Sequence, residues 1–199
     1  MKYSIPAALV AVALATGAYA GTISGKVSGA KGESVVYIEA IAGKTFPAPT
    51  QHAQVDQVHL QFSPHVLVIL KGTTVDFKNE DAVGHNIYWP AINYNRKLAH
   101  NMGTWPQGES KSFTFNDEGM VPLLCNVHPD MSGYILVVST PYYALTDKQG
   151  GFTIKDVPPG HYTLKTWNER WSEKVQLAAT QAVTVGSGEV NVAFNEAKR

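Results

Sequence analysis

The chain has 199 residues, 44% of them hydrophobic and 16% charged, so it is long enough and apolar enough to bury one or two globular cores. Sixteen basic and sixteen acidic residues give a formal net charge of zero, which argues against a nucleic-acid binder. The single cysteine excludes an intramolecular disulfide, a cysteine zinc cluster and an iron–sulfur centre.

Residues 1–20 have the pattern of a secretory signal peptide. Lys2 gives a basic start, and the stretch from Ile5 to Ala18 is almost wholly apolar but short for a bilayer span. Ala18-Tyr19-Ala20 has the small-x-small pattern of a cleavage site. We therefore expect export to the periplasm, with no membrane span after the signal is removed.

The next part of the chain predicts strands and turns. Residues 21–42 place glycines among β-branched residues, which is typical of strands and tight turns. Residues 51–57 look like a connector. Further strands are predicted at His59–Phe62, Val66–Leu70, Thr73–Lys78 and Asn86–Trp89.

Residues 90–108 carry Pro, Asn, Gly and aromatic residues without periodicity, which predicts a long functional loop. Pro122 lacks an N–H and predicts an edge or bulged strand. A short turn or helix is predicted at Trp171–Ala179. Since no long helical stripe occurs, we expect an all-β chain, with later strands at Ser110–Phe115, Val121–Leu124, Tyr134–Val138, Phe152–Ile154, His161–Trp167, Val183–Val185 and Glu189–Phe194.

One heptapeptide carries most of the chemistry. Cys125, His128 and Met131 lie in the order C-x-x-H-x-x-M, so three soft or borderline ligands share a short loop. Thiolate, imidazole and thioether ligands select copper over hard cations. A lone thiol in an exported protein also needs burial or a metal to protect it. A chance buried cysteine and a Cys–His nucleophile pair are the competing interpretations.

A copper site of this kind needs a second histidine. The candidates upstream of Cys125 are His52, His59, His65, His85 and His100. His85 is the strongest, because it follows a predicted strand and a polar turn in the sequence G-H-N. Asn86 could then hydrogen-bond to the loop that carries Cys125. The other histidines leave open a second copper site near the 51–57 connector.

Residues 59–138 resemble a cupredoxin of the plastocyanin and, more closely, the amicyanin type. The resemblance lies in F-S-P-H-V-L-V-I-L-K-G-T-T-V-D-F-K-N-E-D, G-H-N and C-N-V-H-P-D-M. It implies a Greek-key β-sandwich with one type 1 copper. It also implies that His85, Cys125 and His128 form the trigonal ligand plane and that Met131 is the axial ligand.

Thr146–Leu164 resembles a carboxypeptidase regulatory-like, or transthyretin-like, β-sandwich domain in T-D-K-Q-G-G-F-T-I-K-D-V-P-P-G-H-Y-T-L. The G-x-V-x-G opening usual for such a domain occurs only near residue 25, before the cupredoxin. We expect residues 21–45 and 139–199 to form one split sandwich, with the cupredoxin, residues 46–138, inserted. Alternatively, residues 21–45 add strands to the cupredoxin.

These features predict an exported blue copper protein that carries single electrons between redox partner proteins and is not an enzyme. The alternative is a copper-handling protein, for resistance or storage, without a dedicated electron-transfer role. A third hypothesis is an interaction protein whose copper site is structural. The sequence makes no prediction of oligomeric state.

Overall fold

The computed structural model describes residues 20–195, and the signal predicted for residues 1–20 lies, apart from Ala20, outside them. Among the described residues, no helix is long and apolar enough to cross a bilayer. The all-β prediction is confirmed, since strands dominate and helices are short.

Two sheets form a first sandwich. One has the strand order β5-β11-β10-β7-β8 and the other β4-β3-β6-β9. Their inner faces share one hydrophobic core, which includes Cys125 and Met131. The strands are β3 (Ala53–Val58), β4 (Gln61–Ser63), β5 (Val66–Leu70), β6 (Thr74–Asn79), β7 (His85–Trp89), β8 (His100–Trp105), β9 (Ser110–Thr114), β10 (Gly119–Leu124) and β11 (Ser132–Val138), with a 3₁₀ turn at Arg96–Leu98.

Two further sheets form a second sandwich around a separate core. Their orders are β13-β1-β16 and β12-β2-β14-β15. The elements are β1 (Gly21–Ser28), β2 (Ser34–Ile38), β12 (Tyr143–Leu145), β13 (Gly151–Val157), β14 (Gly160–Asn168), α1 (Glu173–Ala178), β15 (Thr180–Val185) and β16 (Glu189–Asn195). Thus, within residues 20–195, β1 and β2 pair only with strands that follow residue 142, a pairing that supports the split-domain hypothesis.

The two sandwiches meet along an apolar seam, and the seam explains two uninterrupted hydrophobic runs. In β11, Ile135 and Val137 enter the first core, while Leu136 and Val138 face the seam. In β2, Val36 enters the second core while Val35 faces the seam. Strands buried on both faces lose the polar alternation of a half-exposed strand. We define the seam by its buried residues, Val35, Val66, Val68, Leu136, Val138 and Trp167.

Three strands were missed by the sequence predictions. The supposed connector at residues 51–57 is mostly β3, and the loop predicted at residues 90–108 contains β8. No sequence pattern predicted β12. The strand predicted at His59–Phe62 begins only at Gln61. His59 and Leu60 have φ of 55° and 58°, so they form the turn between β3 and β4.

For Pro122 the sequence left two expectations open, an edge strand or a bulged one, and the edge strand is wrong. β10 is internal, between β11 and β7. It pairs with β11 over its whole length but with β7 only at Leu124 and Tyr88. The ladder to β7 is therefore short, and a residue without an N–H is tolerated beside it.

Tyr37 makes the stability of the seam region depend on pH. Burial, followed by the charges of Glu39 and Glu118, raises its pKa from 10.0 to about 12. The folded state therefore resists ionisation of a phenol that ionises readily in the unfolded chain. We expect stability to fall as the pH rises from 10 to 12, by on the order of 2 kcal/mol from this group.

The measurement is chemical denaturation at pH 9 and pH 12 of the wild type and Tyr37→Phe. The variant lacks the phenol and is expected to lose less stability over this interval. Equal losses of stability in the two proteins would show that ionisation of Tyr37 is not their cause.

Candidate metal centre

Asn79 stabilises the turn that positions His85 at the site. Its side chain is fully buried, and its Nδ2 donates to the carbonyl oxygens of Val83, at 2.8 Å, and Trp105, at 3.0 Å. Its Oδ1 accepts from the N–H of Asp81 at 2.9 Å. One amide thus closes the polar turn and fixes it to β8, so that His85 begins β7 in a defined position.

The His85 ring is held by a carboxylate on one side and faces His128 on the other. Its Nε2 lies 2.8 Å from Asp81 Oδ2, and its Nδ1 lies 3.0 Å from His128 Nδ1. An ionised carboxylate only accepts hydrogen bonds, so Nε2 carries the proton. The Nδ1 lone pair of His85 therefore points toward His128 and is free to bind a metal.

Asp81 connects this histidine to the turn between β3 and β4. Its Oδ1 accepts from the N–H of His59 at 2.7 Å, and its Oδ2 accepts from the N–H of Leu60 at 2.9 Å. Burial raises the pKa of Asp81, but hydrogen bonds from Leu60, His85 and His59 outweigh it and hold the pKa below its usual value. Asp81 is thus a stable anion beside His85.

The second part of the site is the loop after β10. Cys125 is 3% exposed, and the N–H of Met131 donates to the carbonyl of His128 at 3.0 Å, which tightens the loop. The N–H of Asn126 donates to Asn86 Oδ1 at 3.3 Å. The predicted hydrogen bond between Asn86 and the cysteine loop is therefore present, with the loop as the donor.

The structure brings three of the four predicted ligands together. Ligand atoms of His85, Cys125 and His128 all lie within 4.8 Å of one another. His85 is fully buried, whereas His128 is partly exposed. Met131 is 2% exposed and packs in the same core cluster as Cys125. One thiolate and two imidazoles suit copper, so the residues present fit the metal that the sequence predicted.

The other upstream histidines have different partners. His52 Nδ1 lies 2.9 Å from Asp76 Oδ1, and His65 Nε2 lies 3.0 Å from Glu169 Oε2. His59 lies in the β3–β4 turn, and the ring of His100 stacks near Trp89. Within residues 20–195, none of the four joins a second cluster of three His, Cys, Asp or Glu ligand atoms. The described residues therefore give no support to a second copper site at the connector.

Sequence reasoning missed Asp81 as the partner of His85, although it lies four residues before it. Val83 and Val127 are hydrophobic neighbours of His85 and His128 in the sequence. They are 46% and 48% exposed, so they lie at the surface beside the ligands.

Removing the charge of Asp81 is expected to weaken copper binding. Asp81→Asn leaves the shape of the side chain but no longer fixes the His85 tautomer through a charged acceptor, and such changes cost about 10–100-fold in metal affinity. Competition with a chelator of known affinity measures this loss. Asp76→Asn, which alters an exposed carboxylate paired with His52, is the matched control. Equal affinity of the two variants would contradict the role of Asp81.

Comparison with known proteins agrees with this geometry. Residues 49–138 match the family model of copper binding proteins of the plastocyanin/azurin family. Residues 137–192 match the model of polysaccharide lyase family 4, domain II. The second match differs in name from the transthyretin-like resemblance but also fits a small β-sandwich. No curated protein matches the chain.

Several solved structures are similar to parts of the chain. An oxidized amicyanin variant is 24% identical over 43% of this chain and 81% of that chain, with a TM-score of 0.40. A Cu(I) amicyanin variant is 23% identical over 51% of this chain and 97% of that chain, with a TM-score of 0.41. A copper-containing nitrite reductase from Thermus scotoductus SA-01 is 28% identical over 52% of this chain but only 25% of that chain, with a TM-score of 0.42.

The last of these structures corrects one expectation. The sequence was interpreted as that of a protein that is not an enzyme, because it offers no second set of copper ligands of comparable quality. A copper-containing nitrite reductase is an enzyme, and one quarter of its chain matches this one. The exclusion of an enzymatic role is therefore wrong as drawn, because a cupredoxin domain also occurs within an enzyme.

Proposed function

We propose that this chain, whose residues 49–138 are a copper-binding domain of the plastocyanin/azurin family, is an exported blue copper protein that carries single electrons. One copper of type 1 would be held by His85, Cys125 and His128, and we propose Met131 as its fourth ligand. The observation that carries the proposal is the convergence of the first three within 4.8 Å.

The surroundings of the ligands suit rapid electron transfer. Copper bound there would supply a one-electron couple between Cu(II) and Cu(I). Asp81 fixes the His85 ring, and Asn86 fixes the backbone next to Cys125. A ligand set held by such contacts reorganises little when the charge of the site changes. His128 is the more exposed of the two histidines, so we propose it as the route for electrons to the surface.

We propose a periplasmic redox partner protein that docks near His128. We also propose the domain division of residues 21–45 with 139–199 around 46–138, which the pairing of β1 and β2 with β12, β13, β14 and β16 supports. The second sandwich would then serve as a scaffold for the copper-binding one.

Copper titration of the apo-protein, followed by visible and EPR spectra and by voltammetry, tests this proposal. One copper per chain, an intense visible band and a reversible couple are the expected results. Several equivalents of copper, or tight Cu(I) binding with no reversible couple, would instead support copper handling and overturn the electron-carrier proposal.

A further inference from the structure

Lys111 places a partly buried ammonium group at the edge of the first core. Its Nζ donates to the carbonyl oxygen of Met102 at 2.6 Å and lies 5.0 Å from the centroid of the Trp105 ring. In the ion pairs found within residues 20–195, Lys111 has no carboxylate partner. A lysine removed from water without a counter-ion costs free energy, so its position calls for an explanation.

Trp105 links this ammonium group to the metal centre. It is the direct cross-strand partner of His85 in the β7–β8 ladder, and the two side chains are 2% and 0% exposed. Directly opposed residues point to the same face of a sheet, with Cβ atoms about 4.5–5.5 Å apart. Trp105 also packs in the core cluster that contains Cys125 and Met131.

The backbone of β8 bends beside the lysine. Gly103 has a φ of +77°, and a Cβ built on it would lie 3.4 Å from Lys111 Nζ. The N–H of Gly103 donates to Asn101 Oδ1 at 2.8 Å, which holds this bend. The carbonyl of Trp105 accepts from Asn79, the same amide that closes the turn before His85. Lys111, Trp105 and His85 are therefore positioned by one set of contacts.

From this arrangement we infer that Lys111, held on the face of Trp105, is a positioning residue that raises the reduction potential of the copper site. This inference rests on the proposed function. Reduction of Cu(II) to Cu(I) by one electron from the redox partner makes the site less positive by one charge, and no proton moves. A fixed cation near the ligands stabilises the less positive state, more strongly inside a protein than in water.

Asp81, in contrast, is expected to lower the reduction potential. Its carboxylate lies against Nε2 of His85 and favours the more positive Cu(II) state. The potential is then set by an anion that binds the His85 ring directly and a cation that faces the neighbouring indole. Trp105 contributes by holding the ammonium group over its ring, where the negative π-face attracts a cation.

The test compares the midpoint potentials of Lys111→Met and Lys111→Arg in the copper-loaded protein. Methionine keeps much of the volume without the charge, so we expect a lower potential, equivalent to a Cu(I)-to-Cu(II) ratio at least roughly threefold lower at the wild-type midpoint. Arginine is expected to keep a potential close to that of the wild type. The control is Lys155→Met, which changes an exposed lysine of the second sandwich and is expected to leave the midpoint potential unchanged.

Two further readouts separate electrostatic tuning from a structural effect. The visible band is expected to stay unchanged in Lys111→Met. The shift in potential is expected to persist in high salt, since partly buried charges are screened less than exposed ones. A Lys111→Met potential equal to that of Lys155→Met, in a wild type with a reversible couple, overturns the inference. A wild type with no reversible couple contradicts the proposed function instead.

Discussion

Cys125→Ser is expected to abolish the intense visible band of the copper-loaded protein. The band of a blue copper site comes from charge transfer between thiolate sulfur and Cu(II), so it requires Cys125 itself. A serine hydroxyl is a hard, weakly covalent ligand and does not replace a soft thiolate. Serine is similar in size to cysteine, and a hydroxyl at this 3% exposed position costs about 1–3 kcal/mol, so the apo fold is expected to survive.

Absorption and EPR spectra of the two proteins, each with one equivalent of Cu(II), measure this effect. We expect the variant to bind copper more weakly, through His85 and His128, and to give a pale spectrum. Met102→Leu is the control, because Met102 packs against the core without joining the predicted ligands. A strong visible band in Cys125→Ser would show that the thiolate is not a ligand, and the proposed site would then be wrong.

Leu136→Ala is expected to destabilise the protein by about 2–5 kcal/mol, the usual cost of removing a fully buried leucine side chain. Leu136 is 2% exposed and lies in the seam, between β11 and the second sandwich. Its neighbours there come from both sandwiches, so the cavity cannot close by a local shift of one strand. The truncation therefore tests whether the seam holds the two sandwiches together.

Denaturant unfolding, followed by circular dichroism and tryptophan fluorescence, measures the loss. Leu177→Ala in α1 is the matched control, because the same atoms are removed from a side chain that is 65% exposed. That variant is expected to change stability by less than about 0.5 kcal/mol. A Leu136→Ala protein as stable as Leu177→Ala would mean that the seam contributes nothing to folding.

The local part of the candidate site was predictable, because the heptapeptide 125–131 places three ligand types on one short loop. His85 was found from its polar turn and G-H-N sequence, and the structure brings it to His128. The pairing of Lys111 with Trp105 could not be predicted. It depends on the register between β7 and β8, and β8 itself was taken for part of a loop.

The missed strands have a physical cause as well. β3 has the sequence A-Q-V-D-Q-V, in which Gln57 is a fully buried polar residue, so the hydrophobic alternation is weak. β8 contains His, Asn and Gly at positions that periodicity assigns to a loop. Tertiary pairing overrides weak propensity in both cases. The apolar run Tyr134–Val138 indicates a strand that is buried on both faces, which is how it contributes to the seam. Such a run does not identify the part of the chain that covers its second face.

The pairing of β1 and β2 also has a consequence for the order in which the two sandwiches fold as the chain is synthesised. Their hydrogen-bonded neighbours are β12, β13, β14 and β16, so more than half of the chain must be made before either strand finds a partner. In the described part of the chain, all the strands of the first sandwich lie between Ala53 and Val138. Because domains generally fold as units as the chain emerges, we expect the metal-binding sandwich to fold first. The strands β1 and β2, although made first, would then be among the last to pair into a sheet.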